Sequence, residues 1–139
     1  MSLTEARWID IRHADDARGT LTALEGDEFP FPVRRVFYMH GVPPGGERGA
    51  HAHRYTQQCL IAVAGAFTVE VSDGADTATY VLDDPNRALY LPVMTWAHLR
   101  DFLPGTVALA LCDTVYNPAH VVRSWDEYRR LVQETTSTR

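Results

Sequence analysis

Between Gly45 and Gly65 the chain reads GGERGAHAHRYTQQCLIAVAG, or G-x5-H-x-H-x4-Q-x6-G in shorthand. The run fixes the separations of two histidines, a glutamine and two bracketing glycines. His51 and His53 are two residues apart, so on a strand both imidazoles point to one face, about 7 Å apart along the chain. Glycines allow tight turns into and out of such a strand. A chain built around this run must place two imidazoles in one concave space.

The surrounding sequence supplies the walls. RRVFYM (34–39), QQCLIAVAG (57–65), AFTVEVS (66–72), TATYVL (77–82), RALYLP (87–92), AHLRDF (97–102) and TVALALC (106–112) read as short strands separated by turn residues. DGAD at Asp73–Asp76 predicts a hairpin between two of them. Near-continuous apolar stretches such as Leu60–Val63 predict strands covered on both faces. Many short strands and almost no helix predict an all-β sandwich or barrel. The exception is the tail. Ser124-Trp125-Asp126-Glu127 is a capping box opening a short helix to about Val132, with Trp125, Tyr128 and Leu131 turned to the barrel and the last residues, ETTSTR (134–139), frayed.

Composition removes several functions. The 139 residues make one domain, with a core over about 8–132. All 13 basic residues are arginine, which excludes lysine Schiff-base chemistry and a Walker-type phosphate loop. Arginine is then the strong cation left for phosphate, whose oxygens its planar fork grips in pairs. A net charge of -5 argues against nucleic-acid binding. No apolar run reaches the roughly 20 residues that span a bilayer, and MSLTEARWID has no signal-peptide pattern. A cytoplasmic protein without membrane or nucleic-acid partners is expected. Cys59 and Cys112 lie in apolar runs and read as buried free thiols.

The spacing from Gly45 to Gly65 resembles the first signature of the cupin barrel, with Gln58 where a metal-binding cupin carries glutamate. That resemblance implies a double-stranded β-helix, or jelly-roll barrel, here closed by the short C-terminal helix. An amide is a poor ligand where a carboxylate would be a hard anionic one. The second cupin signature places a histidine five residues after its proline. From Pro92 that position is Ala97, and His98 falls one residue late, on the opposite face of a strand. Two of four expected ligands are missing, so neither a metal nor another cofactor is expected. A metal-free pair of histidines suits acid–base work, since imidazole takes and returns protons near neutrality. Tyr38 adds a candidate phenol, although strand alternation leaves open whether Arg35, Phe37 and Met39 or Val36, Tyr38 and His40 face inward. Arg18, Arg34, Arg35, Arg48 and Arg54 lie near the proposed mouth in sequence, and Arg48 shares the loop leading to the histidines.

Taken in order, DARGTL (16–21), RRVFYMHGV (34–42), RGAHAHRYTQQCLIAVAG (48–65), VEVSDG (69–74), LYLPVMTWAHLRDF (89–102) and SWDEY (124–128) resemble the sugar-nucleotide 3,4-ketoisomerases. The resemblance implies a small homodimer that moves the keto group of a dTDP-4-keto-6-deoxyhexose from carbon 4 to carbon 3. It implies His51 as the base, His53 and Tyr38 in the catalytic site, and Arg18, Arg35, Arg48, Gln58 and Trp96 around the sugar or phosphates. Ala97 departs from the histidine or arginine frequent there, which leaves open the configuration at carbon 4. A sugar-nucleotide epimerase and a metal-free binding module are the competing readings on this scaffold.

Overall fold

Alternation of apolar and polar side chains turns nearly every expected strand into an observed one. The protein is described by a computed structural model over residues 5–137, with side chains followed to Glu134. Its strands are β1 (Arg7–Asp10), β2 (His13–Asp16), β3 (Gly19–Thr22), β4 (Arg35–His40), β5 (Arg48–His53) and β6 (Gln58–Ala64). They continue as β7 (Phe67–Ser72), β8 (Thr77–Leu82), β9 (Arg87–Leu91), β10 (Trp96–Arg100), β11 (Val107–Cys112) and β12 (Val121–Val122), before helix α1 (Trp125–Ser137).

Two five-stranded sheets form the jelly roll, in the orders β1-β9-β6-β11-β4 and β12-β5-β10-β7-β8. Their pairings are antiparallel, and β2 and β3 form a separate hairpin. Leu60, Phe67, Val69, Val71, Leu89, Leu91 and Leu99 fill the space between the sheets. Strand β6 is buried on both sides from Gln58 to Ala62, whereas Val63, expected to be covered as well, is exposed at the strand's end. Leu60 and Ala62 face the barrel interior, while Cys59 and Ile61 lie under a second apolar cluster with Phe31 and the partly buried Phe29. Phe67 is 1% exposed and stacks on Phe102 with centroids 5.2 Å apart. Truncating a phenylalanine so buried costs about 3–5 kcal/mol.

The Asp73 carboxylate accepts from the backbone N–H of Ala75 and Asp76 at 2.9 Å, which makes the β7–β8 turn. Ser124 caps α1 by accepting from the Glu127 N–H at 3.2 Å. The helix runs past the expected end at Val132 to Ser137, because no Gly or Pro in Gln133–Ser137 stops it. Of the tail expected to fray, 134–139, residues 134–137 are helical, and Thr138 and Arg139 lie outside the described residues. Tyr128 is fully buried, its hydroxyl 3.0 Å from the Ser72 carbonyl and 2.8 Å from that of Met94. These contacts pin α1 across β7 and the start of β10. No helix among the described residues is long and apolar enough to cross a membrane.

Candidate active site

Strand β5 places the histidines, and an irregularity in it places more than alternation alone would. Across β10 the register runs Ala97↔His51, then His98↔Gly49 and Leu99↔Arg48, so β5 carries one extra residue, Ala50. Residues directly opposite in an antiparallel pair share a face. Arg48 therefore lies on the side of Leu99, and His51 on the side of Ala97, both facing the barrel interior. Without the bulge Arg48 would face away. Gly49 and Ala50 take φ of 83° and 61°, and a Cβ on Gly49 would sit 2.9 Å from the Ala97 carbonyl oxygen. Only glycine fits that approach.

His51 and His53 open into a cleft with Phe37, Met39, Arg48, Gln58, Leu60, Thr95, Ala97 and Leu99. The two imidazole rings meet edge to face, 4.9 Å between centroids and 80° between planes. Burial drives the His53 pKa down to about 4, helped by His51, Arg35 and Arg123. His51 also lies below its ordinary value, again mainly through burial, with the Gly49 carbonyl pulling the other way and Arg123 adding to the depression. Both rings are neutral at pH 7. A neutral imidazole whose N–H leans on a backbone carbonyl keeps its other nitrogen free as a base.

Gln58 is buried at the start of β6, its Nε2 3.3 Å from His53 Nε2 and 3.5 Å from Cys112 Sγ. Among the described residues no group of three His, Cys, Asp or Glu side chains has the geometry to hold a metal ion. Two imidazoles beside an amide form a weak donor set.

Beside the cleft, His53 also lines a smaller polar pocket with Arg35, Thr56, Thr114, Tyr116, Asn117 and His120. The Arg35 guanidinium lies 4.3 Å over the Phe37 ring and 4.8 Å over that of Tyr116. Arg123 donates to the Tyr116 hydroxyl at 3.1 Å. None of the described ion pairs neutralises Arg35, Arg48 or Arg123. This cluster keeps unspent positive charge against the histidines.

The expected residues divide accordingly. His51, His53, Arg48 and Gln58 share the cleft, and Arg35 adjoins it through His53. Three expected residues lie apart from the cleft of their own chain. Tyr38 is 62% exposed and lies on the outer face of β4, because the alternation there turns Phe37 and Met39 inward. Trp96 faces away from the cleft, one residue out of step with Thr95 and Ala97, and packs on Trp125 and Tyr128. Arg18 stands on the β2–β3 turn, bound to the Asp16 carboxylate at 2.8 Å with its side chain 91% exposed. The parity argument for β10 holds, since Ala97 lines the cleft while His98 turns to Glu47, 3.3 Å away. Sequence reading missed Arg123 and the Tyr116–His120 segment. Nothing local marks Arg123, and only the pairing of β12 with the end of β5 brings that stretch to His53.

Relatives of known activity share this architecture. The TDP-4-oxo-6-deoxy-alpha-D-glucose-3,4-oxoisomerase of Aneurinibacillus thermoaerophilus is 29% identical over 129 residues, 92% of this chain and 93% of its own length. A 3,4-ketoisomerase from Helicobacter canadensis superposes with a TM-score of 0.90 at 32% identity, covering 93% of this chain and 98% of that one. A histidine-to-asparagine mutant of the 3,4-ketoisomerase QdtA from Thermoanaerobacterium thermosaccharolyticum was crystallised in complex with TDP-4-keto-6-deoxyglucose. It superposes with a TM-score of 0.92 at 28% identity, covering 96% of this chain and 97% of that one. The fold is thus the cupin-like barrel of these enzymes. The model of the family described as FdtA, WxcM-like, C-terminal matches residues 4–133, and the chain belongs to that family.

Proposed function

We propose that this chain is an isomerase, a sugar-nucleotide 3,4-ketoisomerase that converts a dTDP-4-keto-6-deoxyhexose to its 3-keto isomer without a metal. The observation that carries the reading is a pair of neutral imidazoles in a largely apolar cleft with unpaired arginines at its edge. His51 takes the proton on carbon 3. The electron pair of that C–H bond enters the C3–C4 bond, and the carbon 4 carbonyl becomes an enediolate oxygen. Carbon 4 then receives a proton while the hydroxyl on carbon 3 gives one up, leaving the carbonyl at carbon 3. No oxidant or reductant is consumed. Donors facing the developing oxyanion and a base near neutrality are what this step requires.

Arg35, Arg48 and Arg123 are the candidates to hold the diphosphate, and clamping the nucleotide positions the sugar over His51. Ala97, directly opposite His51, leaves room beside the sugar and leaves the proton-receiving face of carbon 4 undetermined. The chain is proposed to act as a homodimer. In support, β4 is a sheet edge whose outer face exposes Val36 and Tyr38. Buried, unpaired Cys59 and Cys112 agree with a reducing, cytoplasmic setting.

Proton NMR of EDTA-treated protein with dTDP-4-keto-6-deoxyglucose in heavy water tests the reading. A 3-keto product carrying deuterium at carbon 4 is expected, and its coupling constants give the configuration. Deuterium exchange without keto migration would mean an epimerase. No exchange would sink the proposal in favour of a binding module or a metal-dependent reaction.

A further inference from the structure

Gln58 is more than a failed metal ligand. Its amide nitrogen carries two hydrogens and no usable lone pair, and its neighbours in reach are His53 Nε2 at 3.3 Å and Cys112 Sγ at 3.5 Å. An imidazole nitrogen that faces an amide N–H must present its lone pair. A neutral ring has one N–H, so that hydrogen must then sit on Nδ1. We propose that Gln58 is a positioning residue that holds His53 as the neutral Nδ1–H tautomer. The histidine pair then offers one lone pair, on His51, and one N–H donor, on His53.

The charges around His53 point the same way. Facing it are His51 on its own strand, Arg35 from β4, the Cys112 thiol from β11, and Arg123, His120 and Tyr116 from the C-terminal segment. None is a carboxylate, so nothing there draws a proton onto the ring. A glutamate at position 58 would have the same shape and the opposite effect. It would accept a hydrogen from Nε2 and favour the imidazolium. An enediolate reaction gains from the amide instead. One imidazole stays a base and its neighbour stays a neutral donor, and two protonatable rings do not compete for the same proton. Only the kinetic part of this inference rests on the ketoisomerase reading.

The test is a long-range proton–nitrogen correlation spectrum of the full chain labelled with 15N-histidine at neutral pH, with no substrate present. The His51→Asn and His53→Asn variants assign the signals. In the wild type, His53 is expected with Nδ1 protonated and Nε2 bare. In Gln58→Glu the hydrogen should move to Nε2, or the ring should become cationic. With substrate, that variant should lose about 10²-fold in kcat while KM stays within about threefold, and the acid limb of its pH profile should move up by about one unit. A wild-type His53 protonated on Nε2 overturns the inference by itself, even if the variant does not fold. An unchanged tautomer in Gln58→Glu, or a loss confined to KM, overturns it as well. A wild type that shows the Nδ1–H tautomer but turns over no keto-sugar upholds the positioning role and refutes the ketoisomerase reading instead.

Discussion

Strands β4 and β5 both border the cleft, and they contribute opposite things to it. Inward from β5 come Arg48, His51 and His53, while β4 sends in Phe37 and Met39 and leaves Tyr38 outside. The chemistry on β5 is set against an apolar wall from β4, whose charged contribution, Arg35, lies in the adjoining pocket beside His53. Burial is the first cause of the lowered basicity of both histidines, and the apolar side chains of β4 supply part of that burial. The strands also differ in support. β5 is paired on both sides, by β12 and β10, whereas β4 is a free edge. Groups that must be held in place sit on the doubly supported strand.

The largest expected effect breaks the comparison on the β5 side. His51→Gln keeps a hydrogen-bonding side chain of similar reach but removes the base. Turnover of dTDP-4-keto-6-deoxyglucose should fall by about 10³-fold or more. Affinity for dTDP, measured by calorimetry, should change less than about threefold, since the proposed diphosphate contacts are elsewhere. A His51→Gln enzyme within tenfold of the wild type would move the base to another residue, His53 first.

A smaller effect sharpens the comparison through stability. His53 has its pKa at about 4 in the folded protein against 6.5 in an ordinary setting, and His51 is shifted in the same direction. Above 6.5 both states are neutral and stability is full. As pH falls from 6.5 towards 4, the unfolded chain binds protons that the folded chain refuses, so stability is lost across that window. After discounting for the partial exposure of the rings, the histidine contribution is about 1–2 kcal/mol. Urea denaturation at pH 7 and pH 4.5 measures it. The difference should shrink by that amount in the His51→Asn, His53→Asn double variant, and an unchanged difference would place the acid sensitivity in other groups.

Local pattern made much of this legible. The alternation in AFTVEVS and the turn at Asp73 gave β7, β8 and their hairpin, and the two-residue step between His51 and His53 gave their common face. Parity also excluded His98 from the cleft, since β10 has no irregularity before it on its β7 side. What sequence could not supply was anything that depends on pairing. The bulge at Ala50 turns Arg48 inward, yet its signature is a register shift with β10 and not a residue type. Arg123 reaches the histidines because β12 closes on β5, about 70 positions back along the chain. Tyr38 and Trp96 fall outside the cleft of their own chain for a simpler reason. A strand with apolar residues at consecutive positions, as in VFYM and TWA, does not announce which set faces inward.

The smallest expected effect falls on β4, and it asks whether the comparison between the strands holds beyond a single chain. Tyr38 is on the outer face, opposite Leu109 in register and 62% exposed, so its hydroxyl is remote from the cleft of its own chain. If one chain contains a whole site, Tyr38→Phe should leave kcat and KM within about twofold, as expected for an exposed substitution. The resemblance to ketoisomerases puts a tyrosine in the site, and the inward position on this strand is filled by Phe37. A fall in kcat of tenfold or more would mean that the outer face of β4 enters the cleft of a second copy. Activity would then be regained when Tyr38→Phe and His51→Gln chains are mixed, because one of the two shared sites would carry neither change. Unchanged kinetics and no complementation would make β5, with β4 as its apolar wall, sufficient for catalysis within one chain.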